Sequence, residues 1–162
     1  MHKVQLNQTV PEFTCATTAD DALTLTQLKG KNVVIYFYPK DNTPGCTQEG
    51  QDFRDNYTAF QQANTLIFGV SRDSLRTHKN FKTKFNFPFE LISDVDEALC
   101  ELFDVIKLKK LYGKEYMGIE RSTFLIDAHG VLIQEWRKVS VKGHVTEVLA
   151  SVDALTKNDS AD

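Results

Sequence analysis

The feature that most constrains the fold is an unbroken apolar run, VVIYFYP, from Val33 to Pro39. It is rich in β-branched and aromatic residues and shows no polar alternation, which is typical of a strand buried on both faces of a sheet. A second run of this kind, TLIFGVS, extends from Thr65 to Ser71. Because such strands are covered on both sides, the sequence predicts an α/β protein.

The rest of the chain alternates between helical and strand patterns. The other predicted elements are a helix from Thr43 onward, a helix over Ser74–Phe85, a short strand in FELIS (89–93), a helix in SDVDEALCELF (93–103), a hairpin over 122–139 with its turn at Asp127–Gly130, and a helix over 143–157. This order predicts a central mixed β-sheet flanked by helices.

Length and composition favour one compact domain. The 162 residues are predicted to form a single domain, 1–162, with a loose tail at 158–162. No apolar run approaches the roughly 18 residues of a membrane span, and the N-terminus lacks the apolar segment of a secretory signal, so we expect a cytoplasmic protein without a membrane partner. The net charge of −3 argues against nucleic acid. The basic cluster Lys107, Lys109, Lys110 and Lys114 is interpreted as a solvated loop.

The cysteines and histidines exclude several chemistries. The three cysteines, Cys15, Cys46 and Cys100, contain no C-x-x-C pair and are too few for a disulfide framework. A thioredoxin-type disulfide reductase would need a second cysteine where this chain has Glu49. The four histidines lack metal-ligand spacing, so we expect neither a metal nor a cofactor.

Cys46 stands where a helix begins. Thr43 is a good N-cap, and Pro44 suits the first helical position. The free N–H groups and positive dipole of a first helical turn favour a thiolate, and Gly45 allows close approach. The alternative is that Cys46 only packs beneath the loop, since free cysteine is among the most buried residue types.

These residues resemble a known family. Pro39, Thr43 and Cys46 match the P-x-x-x-T-x-x-C signature of peroxiredoxins, and FYPKDNTPGCT resembles the PrxQ, or bacterioferritin-comigratory, subgroup. The likeness extends over nearly the whole chain, through PEFTC, GVSRDS, LISDVDEALCELFDV and GIERSTFLIDAHG. It implies a thioredoxin-like fold and reduction of hydrogen peroxide and organic hydroperoxides by Cys46.

The resemblance also implies a role for each site residue. Cys46 would attack the peroxide and become a sulfenic acid, while Thr43 and the Cys46 backbone N–H donate hydrogen bonds. Arg121 would supply a permanent cation, although it could instead be an ordinary surface arginine. Pro39 would shield the site from water. Glu49 has a counterpart in many relatives, but an ordinary first-turn carboxylate is an equally good interpretation.

The sequence departs from the family at the resolving cysteine. Relatives carry this second thiol five residues after the first or in the following helix, where this chain has Gln51 and Lys82. We therefore predict a one-cysteine mechanism completed by an external thiol: thioredoxin, glutaredoxin or glutathione.

The alternative is a two-cysteine mechanism with Cys100 as the resolver. Cys100 lies off the apolar stripe of its predicted helix, formed by Val95, Ala98, Leu99, Leu102 and Phe103, and is expected to be accessible beside Asp96 and Asp104. Those acidic neighbours would slow its attack. Cys15 shares a strand face with Phe13 and is expected in the core.

Two further expectations concern the protein as a whole. We expect a monomer or a weak homodimer. A redox sensor or binding module without turnover is the alternative from another functional class.

Overall fold

The two apolar runs form neighbouring strands at the centre of the fold. In this computed structural model, which describes the backbone of residues 3–160 and the side chains of residues 3–157, β3 covers Asn32–Phe37 and β4 covers Thr65–Ser71. The two strands are parallel, with Ile35 paired to Phe68. Every residue of β3 is buried, which confirms the predicted doubly covered strand.

The remaining elements follow in chain order. The other strands among the described residues are β1 (Thr14–Thr17), β2 (Ala22–Thr24), β5 (Glu90–Ser93), β6 (Ile106–Leu111), β7 (Lys114–Ile119), β8 (Ser122–Ile126) and β9 (Leu132–Trp136). The α-helices are α1 (Pro44–Asp55), α2 (Tyr57–Gln62), α3 (Leu75–Phe85), α4 (Ala98–Leu102) and α5 (His144–Ser160), and a 3₁₀ helix covers Leu25–Leu28.

Seven strands form one mixed sheet in the order β2-β1-β5-β4-β3-β8-β9. β4 is parallel to β3 and β5, whereas β8 runs antiparallel to β3. This confirms the predicted α/β architecture with a mixed central sheet. The predicted hairpin near the C-terminus is also confirmed, since β8 and β9 pair in antiparallel fashion.

Two hydrophobic cores cover the two faces of the sheet. Alternate residues of β3 enter each core: Val33, Ile35 and Phe37 on one face, and Val34 and Tyr36 on the other. α4 and the 3₁₀ helix pack into the first core, and α1, α2, α3 and α5 pack into the second. Helices therefore lie on both faces, as parallel strands require.

Three predicted elements need correction. The basic cluster is not a solvated loop, because its lysines lie on β6 and β7, which form a separate antiparallel hairpin. This hairpin was missed because it lies outside the main sheet and leaves Leu108, Tyr112 and Met117 exposed, so no apolar face marks it. α5 extends to Ser160, beyond the predicted helix end at Lys157. Residues 161–162 lie outside the described part, and the loose tail stays a prediction.

The helix predicted over 93–103 is much shorter. α4 begins only at Ala98, because Glu97 has a left-handed backbone with φ 64° and interrupts the turn before it. The carboxylate of Asp94 instead accepts hydrogen bonds from the backbone N–H groups of Leu99 and Cys100, at 3.0 and 2.7 Å. As a result Val95, predicted in the buried stripe, is 66% exposed.

None of the helices among the described residues has the length and apolar character needed to cross a bilayer.

The packing of α1 depends on one glycine. A Cβ atom on Gly50 would lie 2.5 Å from Cζ of Phe87 and 3.0 Å from its Cε1. Phe87 is itself buried and stacks on Phe89 with ring centroids 5.3 Å apart, so its ring has little freedom to move. Gly50 therefore sets how closely the helix that carries Cys46 approaches the second core.

We predict that Gly50→Ala destabilises the protein. Alanine in an exposed helix would stabilise it by about 1 kcal/mol relative to glycine, but overpacking against Phe87 should lower the free energy of unfolding by about 1–3 kcal/mol. Urea denaturation of the reduced protein measures this, with Gln48→Ala on the exposed side of α1 as the control. An unchanged or higher free energy of unfolding in Gly50→Ala would contradict this packing.

Candidate active site

Cys46 occupies the first turn of α1, close to the end of β3. Thr43 is the N-cap and Pro44 the first helical residue, as predicted, so Cys46 is the third residue of the helix. Its side chain is buried, with 2% of the residue exposed, in the second core. The thiol therefore belongs to the positive end of a helix and lies in a protected site.

Arg121 reaches Cys46 from the neighbouring strand. It stands immediately before β8, which pairs with β3 so that Ser122 lies opposite Phe37. This register brings residues 75 positions apart together: Nη2 of Arg121 donates a hydrogen bond to Sγ of Cys46 at 3.4 Å. The Arg121 side chain is only 16% exposed, so the alternative of an ordinary surface arginine does not hold.

Glu49 completes this cluster from one turn further along α1. Its Oε1 accepts a hydrogen bond from Nη1 of Arg121 at 2.7 Å, and the residue is fully buried. Its other carboxylate oxygen, Oε2, has no hydrogen-bond partner. Burial raises the pKa of Glu49 to about 7, although the Arg121 cation offsets part of that rise. The interpretation as an ordinary first-turn carboxylate is therefore wrong, and the i, i+3 spacing from Cys46 was the available signal.

Arg121 is thus held between two acidic groups. Burial alone would lower its pKa, but the neighbouring Glu49 and Cys46 outweigh that effect and the pKa of Arg121 is raised. Gly45 makes the approach possible, because a Cβ there would lie 3.2 Å from Nη2 of Arg121. The guanidinium therefore stays charged beside the sulfur.

Pro39 and Thr43 lie at the two ends of the loop between β3 and α1, and both are half-buried. The Thr43 hydroxyl does not cap the helix, and instead donates a hydrogen bond to the carbonyl oxygen of Lys40 at 2.8 Å. Asn42 between them adopts a left-handed conformation with φ 66°. This bond and turn close the loop on itself, which fixes where the Thr43 side chain lies.

A buried polar network that the sequence did not reveal anchors the same loop. Asp41 accepts a hydrogen bond from the Tyr38 hydroxyl at 2.6 Å and lies 2.6 Å from Nδ1 of His78. The backbone N–H of Asp41 donates to Asp73 at 2.9 Å. Asp41, Asp73 and His78 are the group of described residues whose side-chain oxygen and nitrogen atoms lie close enough together to hold a metal ion. The hydrogen bonds given above already explain why these three side chains lie together.

The other two cysteines lie away from this site. Cys100 is fully buried in the first core, on the opposite face of the sheet from Cys46. The expectation of an accessible Cys100 beside Asp96 and Asp104 is therefore wrong. α4 begins only at Ala98, and the Asp94 carboxylate accepts a hydrogen bond from the backbone N–H of Cys100, which holds this residue in the core. Burial, together with Asp94, raises the pKa of Cys100 far above its ordinary value.

Cys15 packs against the first core beside Phe13, as expected. Burial raises the pKa of Cys15 to about 12, with a further contribution from Asp94. Both of these thiols are therefore held in the protonated, unreactive form at neutral pH.

One lysine of the β6–β7 hairpin approaches the site. Lys109 is half-buried, and its stem passes Gly118, where a Cβ would lie 3.3 Å from Cδ of Lys109. Burial, followed by the charge of Arg121, lowers the pKa of Lys109. The cluster predicted as a solvated loop thus contributes a second cation near the active-site arginine.

A buried cysteine in the first turn of a helix, in contact with an arginine, is the arrangement of a thiol-based redox protein. Residues 6–135 match the AhpC/TSA family. The chain is 50% identical to peroxiredoxin Bcp of Bacillus subtilis, over 95% of this chain and 98% of that one. It is 55% identical to peroxiredoxin Bcp of Xanthomonas campestris, over 83% and 84% of the two chains.

Solved structures show the same likeness. The bacterioferritin comigratory protein of Xanthomonas campestris is 50% identical with a TM-score of 0.85, covering 89% of this chain and 92% of that one. A cysteine-to-serine mutant of Xylella fastidiosa PrxQ is 40% identical with a TM-score of 0.88, covering 95% and 98%. The chain belongs to the AhpC/TSA family, and within it to the PrxQ/Bcp peroxiredoxins, which are thiol peroxidases with a thioredoxin-like fold.

We predict that Glu49→Gln changes how stability depends on pH. Because burial raises the pKa of Glu49 from 4.5 to about 7, the folded protein holds this proton more tightly than the unfolded chain does. The resulting stabilisation is full below pH 4.5 and is lost as the pH rises through about 7. The wild-type free energy of unfolding should therefore fall by about 3 kcal/mol relative to Glu49→Gln over this range.

Urea denaturation of both reduced proteins at a series of pH values measures the difference. A gap between wild type and Glu49→Gln that stays constant across the range would show that this carboxyl titrates in the folded protein as it does in the unfolded chain.

Proposed function

We propose that this protein reduces hydrogen peroxide and organic hydroperoxides through the thiolate of Cys46. The observation that carries the proposal is the 3.4 Å contact between Nη2 of Arg121 and Sγ of Cys46, with Glu49 fixing the other side of the guanidinium. A fixed cation beside the sulfur stabilises the thiolate, and its N–H groups can also bind a peroxide oxygen.

The chemical step transfers two electrons from sulfur to the peroxide. Sγ of Cys46 attacks one peroxide oxygen, a new S–O bond forms, and the O–O bond breaks. The departing oxygen takes a proton and leaves as water or an alcohol, while Cys46 becomes a sulfenic acid. Arg121 and the Cys46 backbone N–H stabilise the charge on the oxygens, and Pro39 shields the site. The Thr43 hydroxyl joins them once it exchanges its bond to Lys40 for one to the peroxide.

We further propose a one-cysteine cycle completed by an external thiol. Cys46 and Cys100 lie in cores on opposite faces of the sheet, and Cys100 is buried and protonated. The two positions where relatives carry a resolver hold Gln51 and Lys82, and Lys82 pairs with Glu90 at 3.3 Å. Neither Gln51 nor Lys82 can form a disulfide with Cys46, because neither side chain contains sulfur.

The reductant then acts directly on the oxidised sulfur. A first external thiol attacks the sulfenic acid, releasing water and forming a mixed disulfide, and a second thiol restores the Cys46 thiol. Glutathione, glutaredoxin and thioredoxin supply thiols of this kind. We place the protein in the cytoplasm as a single domain that is monomeric or weakly dimeric.

We predict that Cys46→Ser abolishes peroxide consumption with a dithiol reductant, since Cys46 is the one of the three cysteines that contacts Arg121. Cys15→Ser and Cys100→Ser are the matched controls, and both should retain nearly full turnover. After one equivalent of peroxide, peptide mass mapping of the wild type should show a dimedone adduct on Cys46, because the sulfenic acid has no internal partner.

Two outcomes would contradict this account. A Cys46–Cys100 disulfide in non-reducing maps, together with a Cys100→Ser variant that stalls after one turnover, would establish the two-cysteine mechanism. Stoichiometric oxidation of Cys46 without turnover by any dithiol would instead indicate a redox sensor.

A further inference from the structure

His78 has a hydrogen-bond environment that the peroxidase chemistry does not explain. It is fully buried on α3, and Nδ1 lies 2.6 Å from a carboxylate oxygen of Asp41. Its Nε2 lies 2.9 Å from the carbonyl oxygen of Ile92. The hydroxyl oxygen of Ser71 is a third neighbour, 3.5 Å from Nε2, and its proton is donated to Asp73.

These contacts place an acceptor oxygen beside each ring nitrogen of His78. A neutral imidazole has one N–H donor and one acceptor nitrogen, whereas both ring nitrogens of His78 face oxygen acceptors. The Tyr38 hydroxyl donates to the other oxygen of Asp41 at 2.6 Å, which favours the carboxylate form. The arrangement is satisfied when His78 is an imidazolium and Asp41 a carboxylate, so that the buried pair has no net charge.

The pair stands at the base of the loop that carries the active-site residues. Asp41 is two residues before Thr43 and five before Cys46. Three separate segments hold it: Tyr38 after β3, Asp73 after β4 and His78 on α3.

Tyr36 links the two sites, because its ring stacks on that of Tyr38 with ring centroids 5.5 Å apart. Burial raises the pKa of Tyr36, with further contributions from Glu49, Asp41 and Cys46 in that order.

We infer that His78 is a positioning residue for this active site: its positive charge holds Asp41 in place and cancels the negative charge of Asp41 in the loop that leads to Cys46. An uncompensated carboxylate there would disfavour the Cys46 thiolate and oppose the effect of Arg121. In the described part of the chain, the titratable groups that interact with the pair include Tyr36 on β3, Tyr38 just after β3 and Asp73 in the segment after β4.

The test is a double-mutant cycle read out by alkylation of Cys46. The reduced wild type, His78→Gln, Asp41→Asn and Asp41→Asn/His78→Gln are reacted with iodoacetamide over a range of pH, and modification of Cys46 is followed by peptide mass mapping. His129→Gln, at an exposed histidine in the β8–β9 turn, is the matched control. Thermal unfolding of each variant reports stability separately.

His78→Gln should move the pH midpoint of Cys46 alkylation upward and slow alkylation below that midpoint by at least about twofold, because an uncompensated negative charge disfavours the thiolate. Adding Asp41→Asn removes the uncompensated charge, so the double variant should return to the wild-type midpoint. If His78→Gln does not fold, the double variant should still fold and match the wild type.

A midpoint unchanged in His78→Gln, with only the melting temperature lowered, would show that His78 is merely structural. A double variant whose midpoint stays raised would equally overturn the inference. The inference rests on the proposed role of Cys46, but alkylation needs no peroxide, so failure of the peroxidase proposal would appear separately as turnover in Cys46→Ser.

Discussion

The site depends on one guanidinium shared between a carboxylate and a sulfur. Arg121 contacts Glu49 at 2.7 Å and Cys46 at 3.4 Å, and the two contacts come from opposite ends of one helical turn. Burying Glu49 is unfavourable unless a partner compensates its charge, and Arg121 is that partner. The same contact orients the second guanidinium nitrogen toward the thiol. A group that would be costly in the core therefore fixes the geometry of the reactive sulfur.

The sheet separates the Cys46 thiol from the Cys100 thiol. Because alternate residues of β3 enter opposite cores, a cysteine packed on one face is separated from a cysteine on the other by a fully buried strand. Asp94 fixes Cys100 on the far face by capping the short helix α4. Bringing Cys100 to Cys46 would require that helix to unfold and leave a buried carboxylate without partners, which is strongly unfavourable. The separation of the two thiols is thus a property of the packing as well as of the missing family cysteine.

Sequence patterns predicted the parts of this structure that local chemistry determines. The apolar runs predicted the central strands, Thr43–Pro44 predicted the start of α1, and the turn residues predicted the C-terminal hairpin. The structure confirms each of these elements. The prediction for Cys100 failed because it assumed a regular helix from residue 93, whereas the left-handed backbone at Glu97 rotated the buried face. Glu49 and the His78–Asp41 pair could not be placed, because their partners are 72 and 37 residues away and only the sheet register brings them together.

The central claim is that Arg121 acts on the reacting sulfur, and the rate of Cys46 oxidation tests it most directly. Stopped-flow fluorescence of Trp136 after mixing with hydrogen peroxide gives the second-order rate constant, or competition with a second peroxidase does so if the signal is small. Arg121→Ala should lower this constant by about a hundredfold or more, as loss of one transition-state donor does, and Arg121→Lys should recover only part of it, since lysine cannot contact Glu49 and Cys46 in a fork. A rate constant unchanged in Arg121→Ala, in a variant that still melts near the wild-type temperature, would contradict the account.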